Sequence, residues 1–261
     1  MLECVINISE GRNEAVVAQL AQSVSGALLD VHTDPDHNRS VFTLIGTDAP
    51  RELTRSALQL CNLDTHIGVH PRIGVVDVVP FVPLHGSTMA DAVEARDEFA
   101  QWMSHELGVP VFLYGRERSL PDIRKNAWKT LRPDVGPQEQ HPTAGAVCVG
   151  AREPLVAWNM WLRNVDLAQT RQIAAQVRSA QIRTLGLQVG EFTQVSCNLI
   201  APDTHGPDVA YDLVATHVAI DRCELVGLIP RNALEKIPSD RWETLDLDDT
   251  KTIEWRLEHR I

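Results

Sequence analysis

No run in this chain approaches the roughly 20 consecutive apolar residues that cross a membrane as a helix, so no membrane contact is expected. A basic excess is missing too. The formal net charge is −11, and neutralising phosphates requires a concentrated cationic face, so nucleic-acid binding is not expected. The five cysteines, Cys4, Cys61, Cys148, Cys197 and Cys223, are scattered, odd in number and without a C-x-x-C pair. Four of them lie in apolar surroundings, where cysteine acts as a small hydrophobe. The compartment expected for such a chain is a reducing cytoplasm. The opening residues do not read as a secretory signal, because Glu3 interrupts them and no apolar run follows. No H-E-x-x-H signature occurs, and no segment repeats another residue by residue.

What is present is a regular alternation of apolar patterns. The 261 residues, 44% hydrophobic, suffice for one large domain or two small ones. Leu2–Ile6 reads as a strand; Val16, Val17, Leu20, Ala21 and Val24 recur at helical spacing. Ala27–Val31 and Ser40–Gly46 read as strands around the turn "DPDHN". Asp48 and Pro50 open a second helix, "IGVVDVVPFVPL" is the next strand, and a third helix runs from Ser87 or Thr88 to Gly108. After "PVFLYG", the polar stretch Arg116–Pro142 reads as loop with a helical turn or two. From residue 150 the order recurs: "LVAWNMWL", a helix opened by Asn164 or Asp166, "TLGLQVG", "TQVSCNLI", the helix "PDVAYDLVATHV" and "ELVGLIP". The expected fold is α/β (α+β), two βαββαβ subdomains, 1–150 and 151–261. Each is a mixed sheet with helices on its outer face, and a cleft or tunnel lies between them.

Four segments depart from scaffold patterning. "NISEGRN" (Asn7–Asn13) is a polar loop leading into a helix N-terminus, a place that suits an anion or an ordinary cap. "HTDPDHNRS" (His32–Ser40) packs titratable groups into a turn, where Arg39 serves a ligand or pairs with Asp34 or Asp36. "HIGVHPR" holds His66 and His70. On a helix they would share a face and bind metal, but Gly68 and Pro71 oppose a helix and no third ligand accompanies them. No metal is therefore expected. His70, before a strand and beside Arg72, reads as a general base whose ordinary pKa of roughly 6.5 suits proton transfer near neutrality. His66 reads as a supporting or substrate-contacting histidine. "DVGPQEQHPTAG" (Asp134–Gly145) is a polar Gly/Pro loop over the cleft, or a linker.

Taken in order, "ECVINISEGRN", "LLDVHTDPDHNRSVFTLIG", "HIGVHPRIGVVDVVPFVPL", "VPVFLYG", "PDVGP", "GAVCVGAR", "QVSCNL" and "ELVGLIPRNAL" resemble glutamate formiminotransferase across nearly the whole chain. The resemblance implies a folate-dependent enzyme of histidine breakdown. It moves a formimino group from N-formimino-L-glutamate to N5 of tetrahydrofolate, which is a co-substrate. It also implies two α/β formiminotransferase subdomains with the folate between them, and a homodimer. The catalytic histidine falls on His70. The folate-binding loop falls on Gly136, Pro137, Gln138, Glu139, Gln140, His141, Pro142, Thr143, Ala144 and Gly145. Arg72 and Arg39 are the expected carboxylate clamps, joined as substrate contacts by Asn38, His66, Asn7, Ser9 and Glu10. A cyclodeaminase domain follows in the bifunctional animal protein; here that activity is expected to be absent.

Departures point at alternatives. Ile6 and Ile8 stand where the family often has Pro and Phe, and Arg222 and Cys223 where Gly and Ser are common. His32 stands where the animal enzyme has an aspartate near its catalytic histidine. A diverged paralogue would be a formyl-transfer enzyme or a non-catalytic folate-binding protein; a metal hydrolase using His66 and His70 is the third alternative.

Overall fold

Strict alternation makes Leu2–Ile8 (β1) a strand whose Cys4, Ile6 and Ile8 are wholly buried on one face, while Glu3, Val5 and Asn7 take the other. The computed structural model describes residues 1–69 and 71–259. They form two units, Met1–Glu153 and Pro154–Ile261.

In the first unit β1 is followed by α1 (Glu14–Ser23), β2 (Leu28–Asp34), β3 (Arg39–Ile45), α2 (Ala49–Leu60), β4 (Val76–Pro83), α3 (Met89–Leu107), β5 (Val111–Tyr114), α4 (Leu120–Asn126) and β6 (Val147–Ala151). The sheet order is β2-β3-β1-β4-β6-β5. The first four strands pair antiparallel, and β6 pairs parallel to both β4 and β5. Cys4, Ile6, Ile8, Phe42, Leu44, Val79 and Phe81 pack with Leu20, Leu53, Ala57, Phe99 and Met103 of α1, α2 and α3. That face is therefore the core. The third helix begins at Thr88, whose hydroxyl and Asp91 carboxylate cap each other's backbone N–H, and closes on Gly108 at φ +63°.

The second unit runs β7 (Val156–Leu162), α5 (Leu167–Val177), β8 (Ile182–Val189), β9 (Phe192–Leu199), α6 (Pro207–Ala215) and β10 (Ile220–Val226), with two short helices after them. Its sheet, β10-β7-β9-β8, repeats the connectivity of β4-β1-β3-β2. The βαββαβ recurrence expected from the apolar pattern is thus present in both units. Only the first sheet is mixed; the second is antiparallel throughout. The parallel pairs come from β5 and β6, which follow the α3 crossover, and the described residues of the second unit include no such extension.

The polar stretch read as loop with a helical turn or two contains α4, seven residues long. Its start is a capping box, Ser119 with Asp122, with Pro121 in the first turn. Ile123 is fully buried and, with Ala127, Trp128 and Leu131, covers Val78, Phe112 and Cys148 on the face of the first sheet opposite α1–α3. This small cluster fixes α4 over β5 and β6, and so fixes Arg124.

Candidate active site

Asp77 is the one acid in the apolar run Val75–Phe81, and it is completely buried. Arg39 donates from Nη1 to its Oδ2 at 2.9 Å, and Arg124 donates from Nη2 to the same oxygen at 2.6 Å. The Ile73 backbone N–H reaches Oδ1 at 2.8 Å. Burial pushes this carboxyl up, but the two guanidiniums and the Ile73 amide outweigh it, and its pKa sits at about 2. Arg39 also donates from Nε to Asn7 Oδ1 at 3.0 Å. The partner of Arg39 is therefore Asp77, not Asp34 or Asp36. Asp34 instead accepts the backbone N–H groups of Asp36 and His37 and faces the His37 ring at 3.3 Å.

Asn38 joins three loops. It lies in the turn before β3 with φ +48°, a left-handed conformation that asparagine tolerates. Its Oδ1 accepts from Gly11 N–H at 2.9 Å, and its Nδ2 donates to the Ile67 carbonyl at 3.0 Å. Those two bonds fix which end of the amide is which. The remaining Nδ2 hydrogen therefore faces His66 Nδ1, 3.2 Å away. Nδ1 then holds the lone pair, and the ring carries its proton on Nε2. Burial, then the Arg72 charge, push His66 down to about 4, so this ring is neutral near pH 7. Its Nε2 is buried and finds no partner among the described residues. Gly68 follows in the same loop. A Cβ there would lie 2.3 Å from the His37 carbonyl oxygen and 2.5 Å from Arg72 Nη2, so only glycine permits this approach.

His66, Ile67, Gly68, Arg72 and Ile73 line a cavity of about 540 Å³ together with Leu63, Arg124, Ala127, Trp128 and Gln140. Arg72 holds the His37 carbonyl from Nη2 at 3.2 Å. Burial first, and the charges of Arg39 and Arg124 with it, lower its basicity. The cavity thus offers N–H donors and positive charge, chemistry that receives carboxylates. A larger groove, about 820 Å³, runs along α3; it is lined by Glu94, Asp97 and Glu98 and holds none of the residues singled out from the sequence. No cluster of three His, Cys, Asp or Glu suited to a metal occurs among the described residues.

Residues 1–152 match the formiminotransferase domain, N-terminal subdomain. The glutamate formimidoyltransferase of Streptococcus pyogenes serotype M1 is 33% identical, over 97% of this chain and 97% of that protein. The chain belongs to the formiminotransferase family. The glutamate formimidoyltransferase of Thermoplasma acidophilum is 30% identical over 99% of this chain and 97% of its own. The formimidoyltransferase-cyclodeaminase of Sus scrofa is 31% identical over 90% of this chain, which spans about half of it, 51%. The family read from the ordered motifs is the family found, and the chain is accordingly an enzyme of formimino transfer.

Within this formiminotransferase the residues singled out from sequence divide. His70 lies outside the described residues. His66, Arg72 and Gln140 line the cavity. Arg39 and Asn7 brace Asp77 from the face that α4 covers, opposite α1–α3; His32 shares that face, opposite Val41, which pairs in turn with Asn7. Ser9 donates to the Gly74 carbonyl at 2.7 Å, and Glu10 accepts the backbone N–H groups of Arg12 and Asn13. The loop expected for folate has two halves. Gly136–Gln140 is exposed, with Gly136 at φ +90°. His141–Gly145 is a closed turn: His141 and Gly145 exchange backbone hydrogen bonds, and the Thr143 and Ala144 carbonyls receive Leu63 and Val75 N–H. Asp77, Arg124 and Trp128 escaped the sequence reading. A lone acid inside an apolar strand and the Ser119-x-x-Asp122 capping box were the signals available.

Proposed function

We propose that this chain transfers the formimino group of N-formimino-L-glutamate to N5 of tetrahydrofolate, the one-carbon step of histidine degradation. The observation that carries the reading is the cavity lined by Arg72, Arg124 and the neutral His66 ring, matched to a donor bearing two carboxylates. Family membership supports the formimino chemistry itself. In this reading the two units are the two subdomains of the family, the enzyme is cytoplasmic and homodimeric, and five unpaired thiols favour a reducing compartment.

In the reaction N5 attacks the amidine carbon, and a tetrahedral centre forms. N5 loses its proton as the new C–N bond closes; the glutamate nitrogen gains one as the old C–N bond breaks. His70, assigned from sequence, takes the first proton and returns it to the leaving nitrogen. Such help contributes about 10²–10⁴-fold. Holding both substrates in register contributes the larger share, and here Arg72 grips a donor carboxylate. Gly136–Gln140 supplies folate contacts, with Gln140 in the cavity wall.

The test is a purified-enzyme assay with tetrahydrofolate and N-formimino-L-glutamate, with N-formyl-L-glutamate run beside it. We expect 5-formiminotetrahydrofolate to form from the formimino donor, and His70→Ala to abolish turnover while retaining folate binding. Turnover of the formyl donor alone would make this a formyl-transfer enzyme. Full activity of the His70 variant would remove the base assignment.

A further inference from the structure

Trp128 occupies a backbone position that a large side chain rarely takes. It follows the Ala127 cap of α4 with φ +68°, where glycine or asparagine is the usual occupant. The turn is held regardless: Trp128 N–H donates to the Leu131 carbonyl at 3.0 Å, and the Asn126 carbonyl accepts the N–H groups of Lys129, Thr130 and Leu131. The ring packs edge-on against Phe112, with centroids 5.2 Å apart. Strain kept at such a position marks a side chain whose placement matters. Its indole Nε1 is buried and has no partner among the described residues. Trp128 and Arg124, four residues earlier, both line the cavity that holds His66 and Arg72. Arg124 reaches Asp77 with both Nη groups, which orients the guanidinium and leaves its Nε–H outside that pair.

We infer that Arg124 and the Trp128 indole N–H form an anion-reading pair for the carboxylate of the donor farther from its reacting nitrogen. This rests on the reading of the cavity as the donor site and names its specificity element. The nearer carboxylate falls to Arg72, which is two residues from His70 in the chain. The pair is carried by α4 and its strained turn. An uncharged side-chain amide in place of that far carboxylate loses the charge-assisted hydrogen bonds.

The experiment is calorimetric titration of the full chain with L-glutamate and with L-glutamine, which differ only at that group. Wild type is expected to prefer L-glutamate by at least about tenfold. Trp128→Phe keeps the ring against Phe112 and removes only the N–H; it is expected to lower the preference to about threefold or less. Arg124→Lys, which keeps a charge beside Asp77, is read the same way and guards against poor folding of the first variant. Equal preference in wild type and Trp128→Phe, or none in wild type, overturns the pair. The turnover assay stands apart: a chain that discriminates the two amino acids through Trp128 yet fails to transfer a formimino group keeps this inference and loses the proposed function.

Discussion

Asp77 illustrates how one residue governs a site without lining its cavity. It is fully buried, and it holds Arg39 from β3 and Arg124 from α4 while Ile73 N–H closes its other oxygen. Asp77→Asn would leave two guanidiniums facing an amide in a dry environment. Removing one partner of a buried ion pair destabilises by about 3 kcal/mol or more, and urea unfolding is expected to record a loss of that size. An unchanged midpoint would mean that the arginines find other acceptors. The sequence singled out Arg39 as a carboxylate clamp or the partner of Asp34 or Asp36, but its carboxylate partner lies 38 residues away. Local spacing offered only Asp34 and Asp36, and those serve the turn.

At the scale of elements, the segment Asn62–Val69 is a strap laid across the turn before β3. Asn38 ties it down at Ile67 and His66, and Gly68 permits it to lie against the His37 carbonyl. In Gly68→Ala the new Cβ meets the His37 carbonyl oxygen, which is backbone, as well as the Arg72 guanidinium, so the strap must lift, and His66 and Arg72 move with it. The expected result is a rise in donor KM of about tenfold, equivalent to about 1.4 kcal/mol. Global unfolding should change little, because Ile67, Gly68 and Val69 take no part in the core clusters. Steady-state kinetics beside a urea titration decides it; an unaltered KM would show that the strap does not set the donor site. Strands and long helices of this unit were legible because their periodicity is long and regular. The short α4 was legible only as a helical turn or two without bounds, since seven residues in a proline-containing polar stretch carry little periodic signal.

Across the whole molecule, an acidic chain carries a cationic cavity. The formal net charge of −11 belongs to the surface at large, whereas Arg39, Arg72 and Arg124 gather around one carboxylate inside it. Two groups set opposite ends of the acid response. His66 titrates near 4 when folded and near 6.5 when not. Below pH 6.5 the unfolded chain therefore takes up a proton that the folded chain refuses, and stability falls from about 6.5 down to about 4. Asp77 titrates at about 2 when folded against an ordinary 3.8, so its contribution is complete above 3.8 and is lost as pH falls through 2. Measured as urea midpoints against pH, His66→Asn should flatten the upper window relative to wild type and leave the lower one. A variant that tracks wild type throughout would contradict the neutral, half-buried ring.

The sequence by itself determined the two βαββαβ units, the burial of four cysteines and the family, because apolar periodicity and ordered motifs are properties of neighbours along the chain. Only the tertiary structure decided that Arg39 belongs to Asp77, that Arg124 and Trp128 enter the cavity wall, and that the second sheet is antiparallel throughout. Those outcomes depend on strand order and on a small apolar cluster under α4. Both are set by contacts between residues far apart in sequence, which no local pattern encodes.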